Sequence, residues 1–469
     1  MIEFREPLDS LIRDPRSLTG GKRFAQKINI YDETLRDGEQ MPGIAFTPSQ
    51  KVQLATLLSE MGVDVLMAAY PGASVADQEA CLRVLQARKG GAIRRDVEIM
   101  CIARANNADI NAVVEVAHQA HVPMEQVGIL LLSTSSDLHI KYKMGRILAR
   151  RYGLQEERWL DTPVEWFRKA NIDFIVEKIE YCRQLGFGEV EFASEDASRG
   201  SREYLVDLAR ECQQAGGTRL CFSDTNGVLT PEGVDYYFSG LTEELPGLAI
   251  TAHFHNDFGM AAINTVRALA HGATHASVTA CGIGERAGNA SIHQVVMILK
   301  ELYGVEIPDF RYRDLWQLRD LVEVCSGVPI QPHEPIIGYN VFSHESGIHT
   351  AGISTHPRMY QALDHELVGG EHRTVFGKHS GVQSLRSFTA SHHDCFSFDP
   401  RGLSTLQYEM LLQKIKAERE RATIETDHSS FIESYYRHLE NLGVPEWFVI
   451  EQIEVLGNEL AVNANSMVR

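Results

Sequence analysis

Short apolar runs rich in β-branched residues alternate with segments of helical periodicity between about residue 27 and residue 303. Such a run, bounded by turn residues, predicts a buried strand, and the amphipathic segment after it predicts a helix that packs on the sheet. Strands are predicted at 28–32, 63–70, 97–104, 126–133, 189–195, 218–224, 248–256 and 275–282. The chain is therefore expected to repeat one strand and helix unit eight times.

The first unit shows the local signals clearly. Thr47 and Pro48 supply a cap and a proline at the first helical position, and Gly62 follows the last apolar position. Eight such units in about 275 residues match the usual size of an α/β protein of the (β/α)₈ or TIM barrel class. An open doubly wound sheet would more often carry a glycine-rich loop after its first strand, where this chain reads DETLRDGEQ at 32–40.

The pattern changes beyond residue 303. A predicted helix at 311–326 is followed by three prolines within 328–335, which indicate a connector. The next loop has the glycines of a lid, and amphipathic helices are predicted at 403–422 and 431–442. The predicted parts are an N-terminal extension (1–26), the catalytic barrel (27–303), a connector and lid subdomain (304–390) and a mainly helical C-terminal subdomain (391–469).

Composition and charge narrow the class of protein. The 469 residues carry a formal net charge of −18, which argues against a nucleic acid or an anionic membrane as the main partner. No run approaches the roughly 20 apolar residues of a membrane helix, and the first 25 residues lack the apolar core of a signal peptide. The eight cysteines include no Cys-x-x-Cys pair, which fits a reducing cytoplasm.

Polar residues collect at the carboxyl ends of the predicted strands, where barrels of this type place their chemistry. They are Arg36 and Asp37 after strand one, Arg104 at strand three, Glu195 and Asp196 at strand five, Asp224 and Thr225 at strand six, His253 and His255 at strand seven, and Glu285 and Asn289 after strand eight. A random scatter of polar residues would not favour one rim so heavily.

The histidine pair predicts a metal site on this rim. His253 and His255 are two residues apart on a strand and so face the same way. A lone pair of this kind is about as often two hydrogen-bonded histidines as two ligands, but strands one and seven and the loop after strand eight are neighbours in a closed barrel. Asp37, His253, His255 and Asn289 are therefore expected to share one divalent ion. Mixed nitrogen and oxygen ligands leave zinc, manganese and magnesium open.

These residues lie in motifs that resemble the family of isopropylmalate, homocitrate and citramalate synthases, metal-dependent acyltransferases that perform Claisen condensations. The motifs follow one another over about 350 residues: 32–40 (DETLRDGEQ), 194–199 (SEDASR), 224–225 (DT), 253–257 (HFHND), 282–289 (GIGERAGN), 346–349 (SGIH) and 377–381 (GKHSG). The C-terminal region shows no sequence pattern of the strand-rich effector domain of leucine-regulated isopropylmalate synthases, and its expected architecture is closer to the shorter homocitrate synthase type with a helical extension.

The resemblance implies that acetyl-CoA condenses with a 2-oxo acid, followed by thioester hydrolysis, to give a 2-alkylmalate or homocitrate type of product. It implies that Asp37, His253 and His255 bind the metal, with Asn289 in or near its shell. The 2-oxo acid would chelate this ion, and Arg36 would stabilise the negative charge that forms on the keto oxygen.

The proton on the acetyl methyl needs a base, and Glu195 and His349 are the candidates. The resemblance places His349 and Tyr360 in a segment that reaches the active site of a partner subunit. A homodimer with exchanged C-terminal segments is therefore expected, in which the connector and lid subdomain crosses between the two chains.

Substrate choice stays open at this point. The expected pocket includes Ala68, Ala69, Ala193, Thr225 and the stretch 133–141, with Glu285 assigned to the same side. The small side chains leave room for a group larger than methyl, whereas His139, Lys141 and Arg104 would suit a second anionic group if they point inward. The stretch lacks the Leu-Arg pattern associated with 2-oxoglutarate, so branched, aryl and phosphonate-bearing acids remain candidates.

Two other functions compete with condensation. A lyase of the same barrel group would run the reverse cleavage on a hydroxyacyl-CoA, but such lyases carry a cysteine within the glycine loop after strand eight. Here Cys281 lies just before the motif at 282–289. A non-catalytic relative would be expected to lose a metal ligand or Arg36, and none is lost.

Overall fold

The structure is a computed structural model that describes residues 14–19, 21, 24–155, 158–425, 428–440, 444 and 447–453. Eight parallel strands follow one another in chain order and close into a barrel, with the last strand paired to the first. They are β1 (Asn29–Asp32), β2 (Val65–Ala69), β3 (Glu98–Arg104), β4 (Val127–Leu132), β5 (Glu189–Ser194), β6 (Arg219–Asp224), β7 (Ala249–Phe254) and β8 (His275–Val278). The predicted barrel and each of its strands are confirmed.

Helices cover the outside of the strands. They are α1 (Pro48–Met61), α2 (Val75–Gly90), α3 (Asn107–Gln119), α4 (Gly145–Arg151), α5 (Val164–Leu185), α6 (Arg202–Gln214), α7 (Pro231–Phe238), α8 (Leu241–Glu244), α9 (Ala261–Leu269) and α10 (Ile292–Met297). Between them and the strands lies a continuous layer of buried apolar side chains, which supplies most of the hydrophobic stabilisation of the barrel.

Helix α1 begins and ends as its sequence predicts. The side chains and backbone of Thr47 and Gln50 form a capping box, and Pro48 occupies the first turn. Gly62 ends the helix with φ +103°, and a Cβ at this position would lie 2.9 Å from the carbonyl oxygen of Asp309. Only glycine fits both the backbone angle and this close approach.

The two ends of the barrel interior differ. Apolar side chains such as Met67, Met100 and Leu130 fill its middle. At the amino-terminal end, the buried Arg219 lies 2.6 Å from Glu98 and 3.2 Å from Glu191. This closed ion-pair network leaves the carboxyl end of the strands as the open end of the barrel.

The chain beyond the barrel is mainly helical. It contains α11 (Leu315–Ser326), α12 (Gly347–Thr355), α13 (Val382–Ser391), α14 (Thr405–Glu425) and α15 (His428–Glu440), with a small parallel pair formed by β9 (Ser343–His344) and β10 (Arg373–Thr374). The predicted connector at 328–335 has no regular element. The predicted domain boundaries remain a prediction. Within the described part of the chain, no helix is long and apolar enough to cross a membrane.

Candidate active site

A cavity of about 380 Å³ opens at the carboxyl end of the barrel. We call it the mouth cavity. Its lining includes most of the rim residues that the sequence predicts: Arg36, Asp37, Ala193, Glu195, Thr225, His253, His255 and Glu285. The remaining lining is Glu33, Gln40, Tyr70, Ile102, Leu130, Leu132, Cys221, Ser223 and Arg286.

A tight turn after β1 carries two of these residues. The backbone N–H groups of Arg36 and Asp37 donate to the carbonyl oxygen of Glu33, at 3.1 and 2.8 Å. The hydroxyl of Thr34 accepts from the N–H of Ala280 at 2.7 Å, which ties this turn to the loop after β8. The fully buried Leu35 anchors the turn in the core, so the side chains of Arg36 and Asp37 are directed to the mouth by a fixed backbone.

The loop after β8 is fastened to the end of β7. Asn289 forms an isolated bridge with His255, and the N–H of Asn256 donates to the carbonyl of Gly288 at 2.9 Å. Gly284 lies beneath the Asn289 side chain, where an added Cβ would be 2.2 Å from its Nδ2 atom. Glycine at this position therefore gives Asn289 the space to lie next to the histidine pair.

Asp37, His253 and His255 form a group that could hold a divalent metal. Each offers one ligand atom, and these atoms lie within 4.8 Å of one another. The two Nε2 atoms of the histidines are 3.3 Å apart, and that of His253 is 3.5 Å from Asp37 Oδ2. Asp37 Oδ1 and Asn289 Oδ1 are buried and find no hydrogen-bond partner among the described residues. Buried oxygens of this kind are costly unless a hydrogen bond or a cation satisfies them, and these two lie beside two imidazoles, so the group fits a metal.

Glu33 orients the first histidine, a role that the sequence analysis missed. The Nδ1 atom of His253 lies 3.1 Å from Glu33 Oε1 and 2.8 Å from the Ser277 hydroxyl. A proton on Nδ1 that bonds Glu33 leaves Nε2 with its lone pair toward Asp37 and His255. This arrangement of carboxylate, histidine and metal position is a common feature of protein metal sites. Glu33 lies within the motif at 32–40, but its partners are far away in sequence.

Burial and neighbouring charges shift the pKa values of the two imidazoles in opposite directions. Burial and the adjacent His253 lower the pKa of His255 to about 4, so the ring is neutral at neutral pH and one of its nitrogens keeps an available lone pair. Burial also disfavours charge on His253, but Glu33 and Asp37 outweigh this effect and raise its pKa. A bound cation would replace that proton between His253 and the carboxylate of Asp37.

Arg36 lies beside the metal group with only 12% of its side chain exposed. It forms an ion pair with Glu33, and its Nη1 atom is 3.4 Å from Asp37 Oδ2. The two carboxylates raise its pKa against the effect of burial. Arg36 therefore stays charged in the mouth cavity and can donate to an oxygen that gains negative charge.

Glu195 stands on the opposite side of the mouth cavity, in an ion pair with Lys143. His139 lies between Glu195 and Asp196, with its ring nitrogens 3.8 and 3.6 Å from the two carboxylates. Burial disfavours ionisation of Glu195, but His139 and Lys143 outweigh it and lower its pKa. The expectation that Lys141 faces the pocket is wrong, because its Nζ atom donates to the carbonyl of Thr162 at 3.1 Å. Lys143 takes that place instead.

Two further pocket expectations are wrong. Ala68 and Ala69 are fully buried in the layer between strands and helices. Alternation along β2 turns Ala68 outward, and a bulge between Met67 and Ala69 turns Ala69 away as well. Tyr70, the next residue, reaches the mouth cavity in their place.

Of the remaining predicted substrate residues, Ala193, Thr225 and Glu285 line the mouth cavity. The hydroxyl of Thr225 accepts from the N–H of Asp196 at 2.8 Å, which fixes the end of β6 against that of β5. Arg104 lies outside this cavity, in the lining of a neighbouring one.

His349 and Tyr360 form a pair outside the lining of the mouth cavity of their own chain. Their rings stack on each other, with centroids 4.2 Å apart, and both side chains are exposed. Neither is among the residues that line the mouth cavity. Their predicted role in a partner subunit stays a prediction.

The barrel, with its candidate metal site at the rim, corresponds to a known protein family. The HMGL-like family model matches residues 27–322, and the chain belongs to this family. A second model, described as a homocitrate synthase post-HMGL domain-like region, matches residues 336–420. The family resemblance inferred from the motifs is confirmed.

The chain is similar to proteins that are named as three different synthases. The chain is 38% identical to a probable 2-isopropylmalate synthase of Methanopyrus kandleri over 77% of this chain and 65% of that protein. It is 34% identical to a homocitrate synthase of the same organism, over 76% and 81% of the two chains. It is 35% identical to an (R)-citramalate synthase of Methanocaldococcus jannaschii, over 76% and 66%. The chain thus spans about two thirds of the length of two of these relatives.

Among solved structures, the HMG-CoA lyase of Bacillus subtilis superposes with a TM-score of 0.51 at 17% identity. The superposition covers 66% of this chain and 96% of the lyase. At this identity the similarity supports the barrel fold alone.

Proposed function

We propose that this protein is an acyltransferase that condenses acetyl-CoA with a 2-oxo acid in the presence of a divalent metal and then hydrolyses the thioester. The observation that carries the proposal is the group of Asp37, His253 and His255, with its unsatisfied oxygens, beside a charged arginine in one cavity. Relatives named isopropylmalate, homocitrate and citramalate synthase support the same reaction class.

The charges of the site suit a 2-oxo acid. Glu33, Asp37 and Arg36 together leave one net negative charge in a buried place, which a divalent cation would turn into one net positive charge. The carboxylate of a 2-oxo acid would then complete the balance. A cation held by Asp37, His253 and His255, with Asn289 at its side, would supply Lewis acid polarisation of the keto group.

The protein residues have separate tasks in this reaction. A base takes a proton from the acetyl methyl group, and the resulting carbon forms a bond to the keto carbon, whose oxygen gains the negative charge. Arg36 donates to that oxygen, which then takes up a proton. Water cleaves the thioester to give a carboxylate and free CoA thiol. Glu195, ionised by its contact with Lys143, is a suitable base from its own chain.

We also infer that His349 and Tyr360 act in the mouth cavity of a second subunit. Both are exposed and stacked, and neither lines the mouth cavity of its own chain. Mixing an inactive Arg36→Ala protein with an inactive His349→Ala protein, after exchange of subunits, should restore part of the activity. No recovery in a mixture that sedimentation shows to contain hybrid dimers would contradict this inference.

The main test is release of CoA thiol from acetyl-CoA in the presence of a series of 2-oxo acids. Release should depend on the 2-oxo acid, stop after treatment with a chelator and return with zinc, manganese or magnesium. His253→Ala should lose activity and bound metal, whereas the control His271→Ala, at an ion pair with Asp235 outside the site, should keep both. Turnover that persists in metal-free protein would overturn the mechanism, and cleavage of a hydroxyacyl-CoA without condensation would favour the lyase.

A further inference from the structure

A second cavity, of about 490 Å³, lies next to the mouth cavity. We call it the side cavity. The two cavities share Tyr70, Leu132 and Glu195 in their linings, so they are adjoining spaces on the same rim. A ligand held by Asp37, His253 and His255 would have to pass the three shared side chains to reach the side cavity.

The walls of the side cavity are mainly apolar. Leu132 and Ala105 form the side next to the strands, and Met144, Ile147 and Phe174 come from the helical region around α4 and α5. Apolar walls with a few polar groups at the edge are typical of sites that bind the uncharged part of a small molecule. Burial of an apolar substituent there would be favourable because it removes apolar surface from water.

The two cations that line the side cavity are already paired. Arg104 makes a bidentate contact with Asp109, at 2.8 and 2.9 Å, and the hydroxyl of Tyr70 donates to the same carboxylate at 2.5 Å. Lys143 forms its ion pair with Glu195. A second anionic group on the substrate would have to share a cation whose charge a carboxylate already neutralises, and it would meet the charge of Glu195, which lines both cavities.

We propose that the side cavity receives the substituent of the 2-oxo acid, and that this substituent is uncharged, apolar and larger than methyl, such as a branched alkyl or an aryl group. The proposal rests on the function proposed above and names the substrate class of that site. A methyl substituent would leave the apolar walls in contact with water, and a carboxylate or phosphonate would find no free cation among the described residues that line the cavity. Tyr70 and Leu132, at the boundary of the two cavities, are then specificity-determining residues.

The first experiment compares 2-oxo acids by kcat/KM in the thiol assay and by calorimetric affinity for the metal-loaded protein. Pyruvate, 2-oxoisovalerate, 2-oxoisocaproate, phenylpyruvate and 2-oxoglutarate form the series. We expect a branched or aryl acid to exceed both pyruvate and 2-oxoglutarate by about tenfold or more, as a filled apolar pocket allows. A preference for pyruvate or 2-oxoglutarate, with thiol release intact, would overturn this proposal and leave the proposed function standing. No thiol release with any acid would contradict both this proposal and the proposed function.

The second experiment fills the side cavity. Ile147 is 53% exposed, so Ile147→Trp can be accommodated without disturbing the core. The control is Ile432→Trp, at a position 48% exposed on α15. We expect Ile147→Trp to lower, about tenfold, the ratio of kcat/KM for the bulkiest accepted acid to kcat/KM for pyruvate, and Ile432→Trp to leave this ratio and the activity unchanged. A rise in the KM for acetyl-CoA with no change in acid preference would assign the side cavity to the thioester and refute the proposal.

The third experiment frees a cation. Asp109→Asn keeps the size of the side chain but removes the charge that neutralises Arg104. We expect kcat/KM for 2-oxoglutarate to rise relative to the branched acids, with the melting temperature recorded to confirm that the variant is folded. An unchanged ratio in a folded variant would mean that the ion pair does not exclude a second carboxylate, which counts against the proposal.

Discussion

Replacing Glu33 by glutamine is expected to weaken divalent metal binding although Glu33 is not itself a proposed ligand. Glu33 is 1% exposed, and its carboxylate contacts His253 Nδ1 at 3.1 Å and accepts from the Ser277 hydroxyl at 2.8 Å. It also pairs with Arg36. Glutamine keeps the size of the side chain and one acceptor, but it removes the charge that fixes the tautomer of His253 and raises the basicity of Nε2.

The loss of such a carboxylate behind a ligating histidine costs about 10- to 100-fold in metal affinity, which corresponds to about 1.4 to 2.7 kcal/mol. We expect a loss in this range for Glu33→Gln. Competition with a chromogenic chelator, or titration calorimetry of metal-free protein, measures it directly. Glu285→Gln is the matched control, because Glu285 lines the same cavity, whereas the side-chain hydrogen bonds of the two histidines in the described chain go to Glu33, to Ser277 and to each other. Equal metal affinity in Glu33→Gln and wild type would refute the reasoning that Glu33 orients His253.

Three further predictions concern charge in the barrel. Arg219→Met should lower the free energy of unfolding by about 3 to 5 kcal/mol, because it leaves the fully buried Glu191 without its cation. Urea denaturation measures this loss. Adding Glu191→Gln should recover part of it, and no recovery would contradict the assigned ion pair. Burial and Arg219 lower the pKa of His275 to about 3 from its ordinary value of 6.5, so its stabilising contribution is complete above pH 6.5 and falls as the pH drops toward 3. The difference in unfolding free energy between wild type and His275→Asn should therefore shift against wild type by about 2 kcal/mol between pH 7 and pH 5, and a constant difference would contradict the assignment. Lys143→Met should raise the pKa of Glu195, since burial then acts with less opposition, and should move the acid limb of the kcat/KM profile to higher pH. The control is Lys141→Met, because Lys141 donates to the carbonyl of Thr162 and not to Glu195. An unmoved acid limb in Lys143→Met would exclude Glu195 as the titrating base.

The barrel was predictable because its signals are local. Each strand is a short apolar run between turn residues, and Thr47, Pro48 and Gly62 mark the ends of one helix by their own backbone chemistry. The histidine pair on β7 and Asp37 after β1 could be joined before the structure was known, since closure of the barrel places β8 between β7 and β1 and so brings the ends of all three strands together. The metal group follows from topology and alternation alone.

The details of the pocket depend on features that leave no such local signal. A bulge in β2 turns Ala69 outward and brings Tyr70 to the mouth cavity. A wide π-helical turn over His139–Lys143 changes the angle between successive side chains, so that Lys143, and not Lys141, meets Glu195. The part played by Glu33 depends on His253 and Ser277, which are 220 and 244 residues away.

The proposed metal ligands lie on both sides of the pairing between β8 and β1 that closes the barrel. Asp37 follows the first strand, whereas His253 and Asn289 belong to the end of the barrel sequence. During synthesis some 250 further residues are therefore added after Asp37 before the last of the other proposed ligands, Asn289, is present. An ion bound by all of them would join the first strand to the last two, so that metal supply would favour completion of the barrel as well as its chemistry.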